Sequence, residues 1–248
     1  MNLNLKNKTA LVTGASSGMG LAIADELESE GAVVVRCSRT KDFILDVTDA
    51  QSVDDVTSYI NKTHGKLDIL INCAGGAIKK AHFTELESND WLDTYKLNVL
   101  GPVMLIQALL PLLEQSDAAR IINIASINAI QPGFYSPHYL SSKAALLNLG
   151  KYLANYLAKK KILVNTICPG PVHTRSWTDY IKLRAEETER TYQDVWDEIE
   201  TEEVAKVPLG RIGEPNDIAG LVAFLCSDRA SWITGASFNI DGGKVKTI

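Results

Sequence analysis

Six short runs of almost uninterrupted apolar residues, rich in β-branched side chains, recur at 9–13, 32–37, 67–73, 120–125, 162–167 and 236–240. A strand with one wet face alternates polar and apolar residues; a strand covered on both faces reads apolar throughout. Between these runs lie stretches of helical length and period, at 21–30, 50–63, 99–113, 137–159 and Pro215–Cys226. In the second of these, Val53, Val56, Tyr59 and Ile60 share one face. Strand and helix alternate from end to end, which predicts an α/β fold: a doubly wound parallel sheet with helices on both faces. No Pro/Gly/Ser-rich tract, repeat or low-complexity block interrupts the alternation, so one domain over 1–248 is expected.

One segment breaks the pattern. Residues 177–206 are rich in acids, and Tyr192, Val195, Trp196 and Ile199 follow a helical stripe within them. A helical insertion spanning about 175–206 is expected, seated on the body by one face. Long insertions in compact domains are often functional, so a lid over a substrate cleft is the sharper reading.

Several function classes are disfavoured. The formal net charge of −5 carries no nucleic-acid footprint. No apolar run is read as long enough to cross a bilayer. Residues 1–8 lack the apolar core of a secretory signal, so a cytoplasmic protein is expected. Cys37, Cys73, Cys168 and Cys226 lie far apart, and His64, His82, His138 and His173 show no ligand spacing; no metal site is expected.

The first apolar run ends in Thr13-Gly14-Ala15-Ser16-Ser17-Gly18-Met19-Gly20 and passes straight into a helical pattern. Glycines between strand and helix let the backbone turn sharply and approach a ligand, and the helix aims free N–H groups at a pyrophosphate. A dinucleotide site is therefore expected there. The second run should end near the adenosine ribose, where an acid would hold the 2′-hydroxyl of NAD. It ends instead in Val35-Arg36-Cys37-Ser38-Arg39-Thr40, with no acid. Ser38 and the arginines suit a 2′-phosphate, which favours NADP(H) over NAD(H). Arg39 is the better candidate, and Arg36 reads equally as a surface charge.

Tyr139-Leu140-Ser141-Ser142-Lys143 opens a helical stretch. Residues four apart share a helix face, so phenol and ammonium point the same way. A tyrosine titrates near ~10, and a nearby lysine charge should lower that value, as a general acid/base needs. Ser126 closes the preceding apolar run, thirteen residues before Tyr139.

With these residues in place the chain resembles the short-chain dehydrogenase/reductase family. The resemblance rests on 13–20, Asp46-Val47, Asn72-Cys73-Ala74-Gly75, Asn98, Ser126, Tyr139 to Lys143, Pro169-Gly170 with Thr174, Pro208 to Arg211, and Gly235 through Gly243. It implies a Rossmann-type fold and hydride transfer between a nicotinamide cofactor and a small carbonyl or alcohol. Tyr139 would protonate the forming alkoxide, or deprotonate the alcohol in reverse. Lys143 would tune it and bind the nicotinamide ribose. Ser126 would hold the substrate oxygen, and Asn98 would anchor a water in the proton relay. Gly14, Ser16, Ser17, Gly18, Met19 and Gly20 would cradle the pyrophosphate. Asp46 and Val47 would meet adenine; Asn72, Ala74 and Gly75 would flank the cofactor's middle. Pro169, Gly170, Val172 and Thr174 would place the carboxamide. A homotetramer, or a homodimer, is implied through 99–113, 137–159 and the last strand.

There are departures. Cys73 stands where the family has a second Asn. The chain between Arg39 and Asp46 is too short for the helix expected there, which would open the adenine pocket. Tyr135 has no lysine four residues on and reads as a pocket wall. Asn128, Gln131, Phe134 and His138 lie in the segment that should meet substrate, with His138 read as structural. His173 and Arg175 could meet a substrate anion or serve as cap and surface groups; Trp177 and Tyr180 could line the cleft or seat the insertion. A cofactor-sensing protein without chemistry, and an enoyl reductase, are the competing readings. The first usually loses the tyrosine or the lysine, and the second spaces them seven apart rather than four.

Overall fold

The computed structural model describes residues 3–247; Met1, Asn2 and Ile248, part of the expected domain 1–248, lie outside the described residues. Seven strands form one sheet: β1 (Thr9–Thr13), β2 (Val33–Ser38), β3 (Phe43–Ile44), β4 (Ile69–Asn72), β5 (Arg120–Ile124), β6 (Leu163–Pro169) and β7 (Ser237–Ile240). Their order is β3-β2-β1-β4-β5-β6-β7, and every pair is parallel. Chain order reverses at β1, which has β2 on one side and β4 on the other. A crevice opens at such a switch point beyond the carboxyl ends of the strands. The fold is the expected doubly wound, Rossmann-type α/β sheet.

Helices α1 (Gly18–Ser29) and α8 (Pro215–Cys226) cover one face. Helices α2 (Ala50–His64), α4 (Gly101–Leu113) and α5 (Pro137–Leu157) cover the other. The strands feed both cores by strict alternation. Ala10, Val12, Ile69, Ile71, Ile122 and Ile124 pack under α1 and α8, whereas Leu11, Leu70 and Ile121 pack under α2 and α4. That is why each strand reads apolar throughout. Each fully buried Leu or Ile contributes roughly 1.5–3 kcal/mol relative to exposure. Local signals bound the helices as well. Asp49 accepts from the Ser52 N–H at the start of α2, and Gly65 ends it in the left-handed region at φ 70°.

Three elements differ from the sequence reading. Strand β3 is only two residues long, too short for any periodicity to show. It replaces the family's helix between Arg39 and Asp46. Helix α3 (Ser88–Tyr95) was not foreseen, because its apolar residues Leu92 and Tyr95 face outward and only Thr94 is buried. A π-helical turn at Lys96–Leu100 joins it to α4. The continuous run Ser88–Leu113 has mean hydropathy 1.6 over its most apolar window and is long enough to cross a bilayer, contrary to expectation. Half of that window is buried, and Leu105, Leu109, Leu112 and Leu113 lie in the core under α2. The run acts as a core helix in this fold.

The segment about 175–206 forms two helices, α6 (Arg175–Glu187) and α7 (Tyr192–Val204). They pack on each other around Ile181, Ala185 and Val195, with Trp177, Trp196 and Ile199 against that cluster. This small core is separate from the two cores of the sheet.

Candidate active site

The chemistry-bearing residues collect at the carboxyl ends of β1, β4, β5 and β6. At β1, Gly14 takes φ 69°, a conformation that strains any side-chain-bearing residue. A Cβ on it would sit 3.1 Å from the Ala74 backbone, and one on Gly20 would strike the Gly14 carbonyl oxygen. The loop is therefore pressed between α1 and the exit of β4. Thr13 Oγ1 fixes that exit, accepting from the N–H groups of Cys73 and Ala74, each at 2.9 Å. Ser17 caps α1 without a side-chain hydrogen bond, and no acid lies in the first turn. The free N–H groups and positive end of α1 thus face the crevice uncompensated. Ser16 is half-buried, and Met19 packs against the core.

At β2 the sequence-predicted residues separate. Arg36 is ion-paired with Asp25 and Glu28, both at 2.6 Å, so it is the surface charge of the two alternatives. Ser38 is buried, and its hydroxyl accepts from Lys41 N and donates to Lys41 O, both at 2.8 Å. It shapes the tight turn and has little left for a ligand. Arg39 remains exposed. The Asp46 carboxyl lies below its ordinary range, chiefly through the Thr48 N–H, with the Thr48 hydroxyl and Arg39 also helping. Val47 is buried against Gly101, where a Cβ would come within 2.8 Å of its Cγ2.

At β5, Ser126 accepts from Asn128 N at 3.1 Å and hydrogen-bonds the Tyr139 phenol. Lys143 is buried and donates to the Ile124 carbonyl at 2.7 Å, with its Nζ 5.8 Å from the centre of the Tyr139 ring. Burial pushes Lys143 down to about 8. It also pushes Tyr139 up, against the bond from Ser126. The expected lowering of Tyr139 by Lys143 is thus not what this geometry gives: the ammonium is aimed at a carbonyl and desolvation dominates. Asn98 is fully buried; its Nδ2 donates to Gly76 O (2.8 Å) and Ser142 Oγ (3.0 Å), and its Oδ1 accepts from Gly76 N (2.9 Å). Its side chain is saturated. Pro102 has no N–H, so the ordinary helical donor to the Asn98 main-chain carbonyl is missing. A Cβ on Gly75 would lie 2.7 Å from Asn98 Oδ1 and 3.0 Å from Lys143 Nζ. Only glycine allows that approach. Asn72 donates to Asn123 Oδ1 across β4 and β5 at 2.8 Å.

The family model described as Enoyl-(Acyl carrier protein) reductase matches residues 14–244. The 3-oxoacyl-[acyl-carrier-protein] reductase FabG of Vibrio cholerae is 32% identical over 97% of this chain and 98% of its own. The FabG of Haemophilus influenzae is also 32% identical, over 96% and 98%. The chain belongs to the short-chain dehydrogenase/reductase family. Members of this family interconvert CH–OH and C=O with a nicotinamide cofactor, and this chain is such an oxidoreductase. The structure of L-sorbose reductase from Gluconobacter frateurii, complexed with NADPH and L-sorbose, superposes with a TM-score of 0.93 at 31% identity, covering 100% of both chains. Aldohexose dehydrogenase from Thermoplasma acidophilum gives 0.91 at 28%, again over both whole chains.

The residues of this short-chain dehydrogenase/reductase fit a dinucleotide. The cradle at Gly14, Gly18 and Gly20 is closed to side chains, and α1 supplies unclaimed N–H groups behind it. At β6, Gly170 lets Asp241 pack close, with a Cβ reaching to 2.7 Å of Asp241 Cα, and Pro169 pairs with Ile240. Val172 is buried and bridges to Gly213. Thr174 starts α6 and touches the glycine loop, its Cγ2 3.3 Å from a Cβ built on Gly18. A cleft of about 420 Å³ opens here, lined by Gly18, Leu21, Thr174, Arg175 and Glu214.

Other polar residues serve structure. His138 is buried against Trp91. His173 bonds Glu214 through Nδ1 at 2.7 Å and sits between Trp177 and Trp196. It seats the insertion, as Trp177 does. Arg175 is exposed, 3.6 Å from Asp179. Ser142, Gly76 and Lys80 were not singled out from sequence. Ser142 lies within the Tyr139–Lys143 motif and had a signal; Lys80 had none.

Proposed function

We propose that this protein is an NADP(H)-dependent reductase that converts a ketone or aldehyde to its alcohol, with Tyr139 as general acid/base. One observation carries the reading: Ser126, Lys143 and Asn98 are buried around the half-buried Tyr139, beside the glycine cradle. Burial holds Tyr139 protonated at neutral pH, the form that donates to a developing alkoxide. Ser126 is placed to hold the substrate oxygen. Lys143 keeps a cation beside the phenol and is within reach of a ribose hydroxyl. The Asn98 carbonyl, without the donor that an α-helix would give it at Pro102, is proposed to hold a relay water. Bound cofactor supplies the hydride. Ser16, Ser17, Met19, Asn72, Ala74, Gly75, Asp46, Val47 and the 169–174 segment are proposed to line it, and Arg39 to meet the 2′-phosphate. NADPH stands in the sorbose reductase complex, which supports the same cofactor here.

The alternative is an NAD-dependent dehydrogenase working toward the ketone. It gains from the commitment of Ser38 and Arg36 elsewhere, which leaves Arg39 as the basic group of the three proposed residues. An enoyl reductase or a chemically silent sensor fits less well, since tyrosine and lysine are both present four apart. We further propose a cytoplasmic homotetramer with α6 and α7 as a substrate lid. Tyr152 and Tyr156 stack on α5, each 59% exposed, and Trp232 is 98% exposed, as faces awaiting a second copy would be. A monomer by light scattering would refute the assembly.

The deciding experiment is a fluorescence titration with NADPH and NADH, followed by turnover on a ketose and a 3-oxoacyl thioester. Tighter NADPH binding with C=O reduction supports the reading. Equal or tighter NADH binding with alcohol oxidation replaces it by the alternative.

A further inference from the structure

Three segments leave the sheet at neighbouring strand ends and ring the mouth over Ser126 and Tyr139: residues 74–82 after β4, 125–136 after β5, and α6 after β6. Backbone and side-chain contacts tie them together. Ser136 donates its N–H to Ala81 O at 2.9 Å. The His82 ring stands edge-on to Tyr135 at 4.8 Å, and Tyr135 leans on Tyr180 of α6 at 6.2 Å. Lys80 completes the ring: its Nζ donates to Ser176 O at 2.7 Å and lies 5.2 Å from the centre of the Tyr180 ring. Lys80 is half-buried there.

Helix α6 is otherwise loosely held. Its apolar residues serve the small core it shares with α7, apart from both cores of the sheet. Among the described residues, no other side-chain hydrogen bond or ion pair joins α6 to the sheet-bearing body. The far end of the pair is tied to the body through α7, by the Lys244–Glu203 ion pair and by His173 3.6 Å from Glu200. The leading edge at α6 rests on the one charged hydrogen bond from Lys80, which decides how often that edge opens.

We propose that Lys80 is a positioning residue that clasps α6 across the mouth of the cleft, so that opening of this clasp governs substrate entry and product release. The inference rests on the reductase reading for its substrate, but the clasp itself is a property of the chain. Lys80 acts through Ser176 and Tyr180; it touches neither the Tyr139 phenol nor Lys143.

The test compares wild type, Lys80→Met and Lys80→Arg. Methionine keeps the length and loses donor and charge; arginine restores both. With NADPH bound, hydrogen exchange of the 176–181 amides is expected to quicken about tenfold in Lys80→Met, while α8 amides keep their rate. For whichever carbonyl is turned over, KM rises about tenfold, kcat does not fall, and the dependence of kcat on solvent viscosity is lost. NADPH affinity stays within about twofold, and Lys80→Arg returns KM toward wild type. Unchanged KM and exchange in Lys80→Met would overturn the proposal. So would a loss of NADPH affinity matching the rise in KM, since that marks general loosening. Absence of turnover on every carbonyl would defeat the reductase reading alone; the exchange rates would still decide the clasp.

Discussion

The glycine loop and the Tyr139 group sit at the same edge of one sheet and are built from opposite materials. From Gly14 to Gly20 the working parts are backbone: a left-handed glycine, close approaches that exclude Cβ, and unclaimed N–H groups. Around Tyr139 the working parts are side-chain atoms, each buried or half-buried and assigned to a partner. The first region should tolerate changes of side chain but not the addition of one at a glycine. The second should tolerate no loss of a functional group, even where the shape is kept.

Tyr139→Phe removes one oxygen and gives the largest expected effect, a fall in turnover of about 10²–10⁴-fold with NADPH affinity nearly unchanged, read by steady-state kinetics and titration. Intact turnover would break the contrast outright. Gly20→Ala adds one carbon where it strikes the Gly14 carbonyl; cofactor affinity should drop by tens of fold, or about 2 kcal/mol, by fluorescence. Raising the pH from about 7 to about 9 should slow reduction about tenfold, as Lys143 loses its proton near about 8. The same depression makes folding stability rise between about 8 and 10.5, because the unfolded chain still binds a proton that the folded chain has released. Denaturant titrations across that window would show it. Arg39→Ala should reduce the preference for NADPH over NADH about fivefold and spare NADH itself, whereas Arg36→Ala should leave the preference alone. Ser17→Ala should change cofactor affinity by less than about twofold, since its hydroxyl caps nothing. A large effect there would mean that the loop uses side chains after all.

The same contrast governs what the sequence could tell. The sheet was legible because strands buried on both faces cannot hide. The loop was legible because glycines clustered between a strand and a helix have few uses besides a tight turn against a ligand. Ser126, Tyr139 and Lys143 could be named because each lies at a strand end or on a helix face. What they do to one another could not. The direction of Tyr139's shift depends on where the Lys143 ammonium points, and spacing is silent on that. Ser38 looked like a phosphate ligand because its hydroxyl sits at the right strand end; only the fold of residues 38–41 shows it spent on Lys41. Lys80 was invisible for the opposite reason, as a lone lysine in a loop whose partner lies some hundred positions on, in α6.

The π-helical turn at Lys96–Leu100 holds one residue more than an α-helix would over the same rise. Deleting a residue there would make a smoother helix. It would also rotate α3 by about 100° relative to α4, and one of the two would have to give up its packing: α3 against α5, or α4 against α2. Asn98 would leave the Gly76 backbone and Ser142 with it. The extra residue works as a spacer between two clocks that must keep different time, and the shorter, more regular helix would be the broken one.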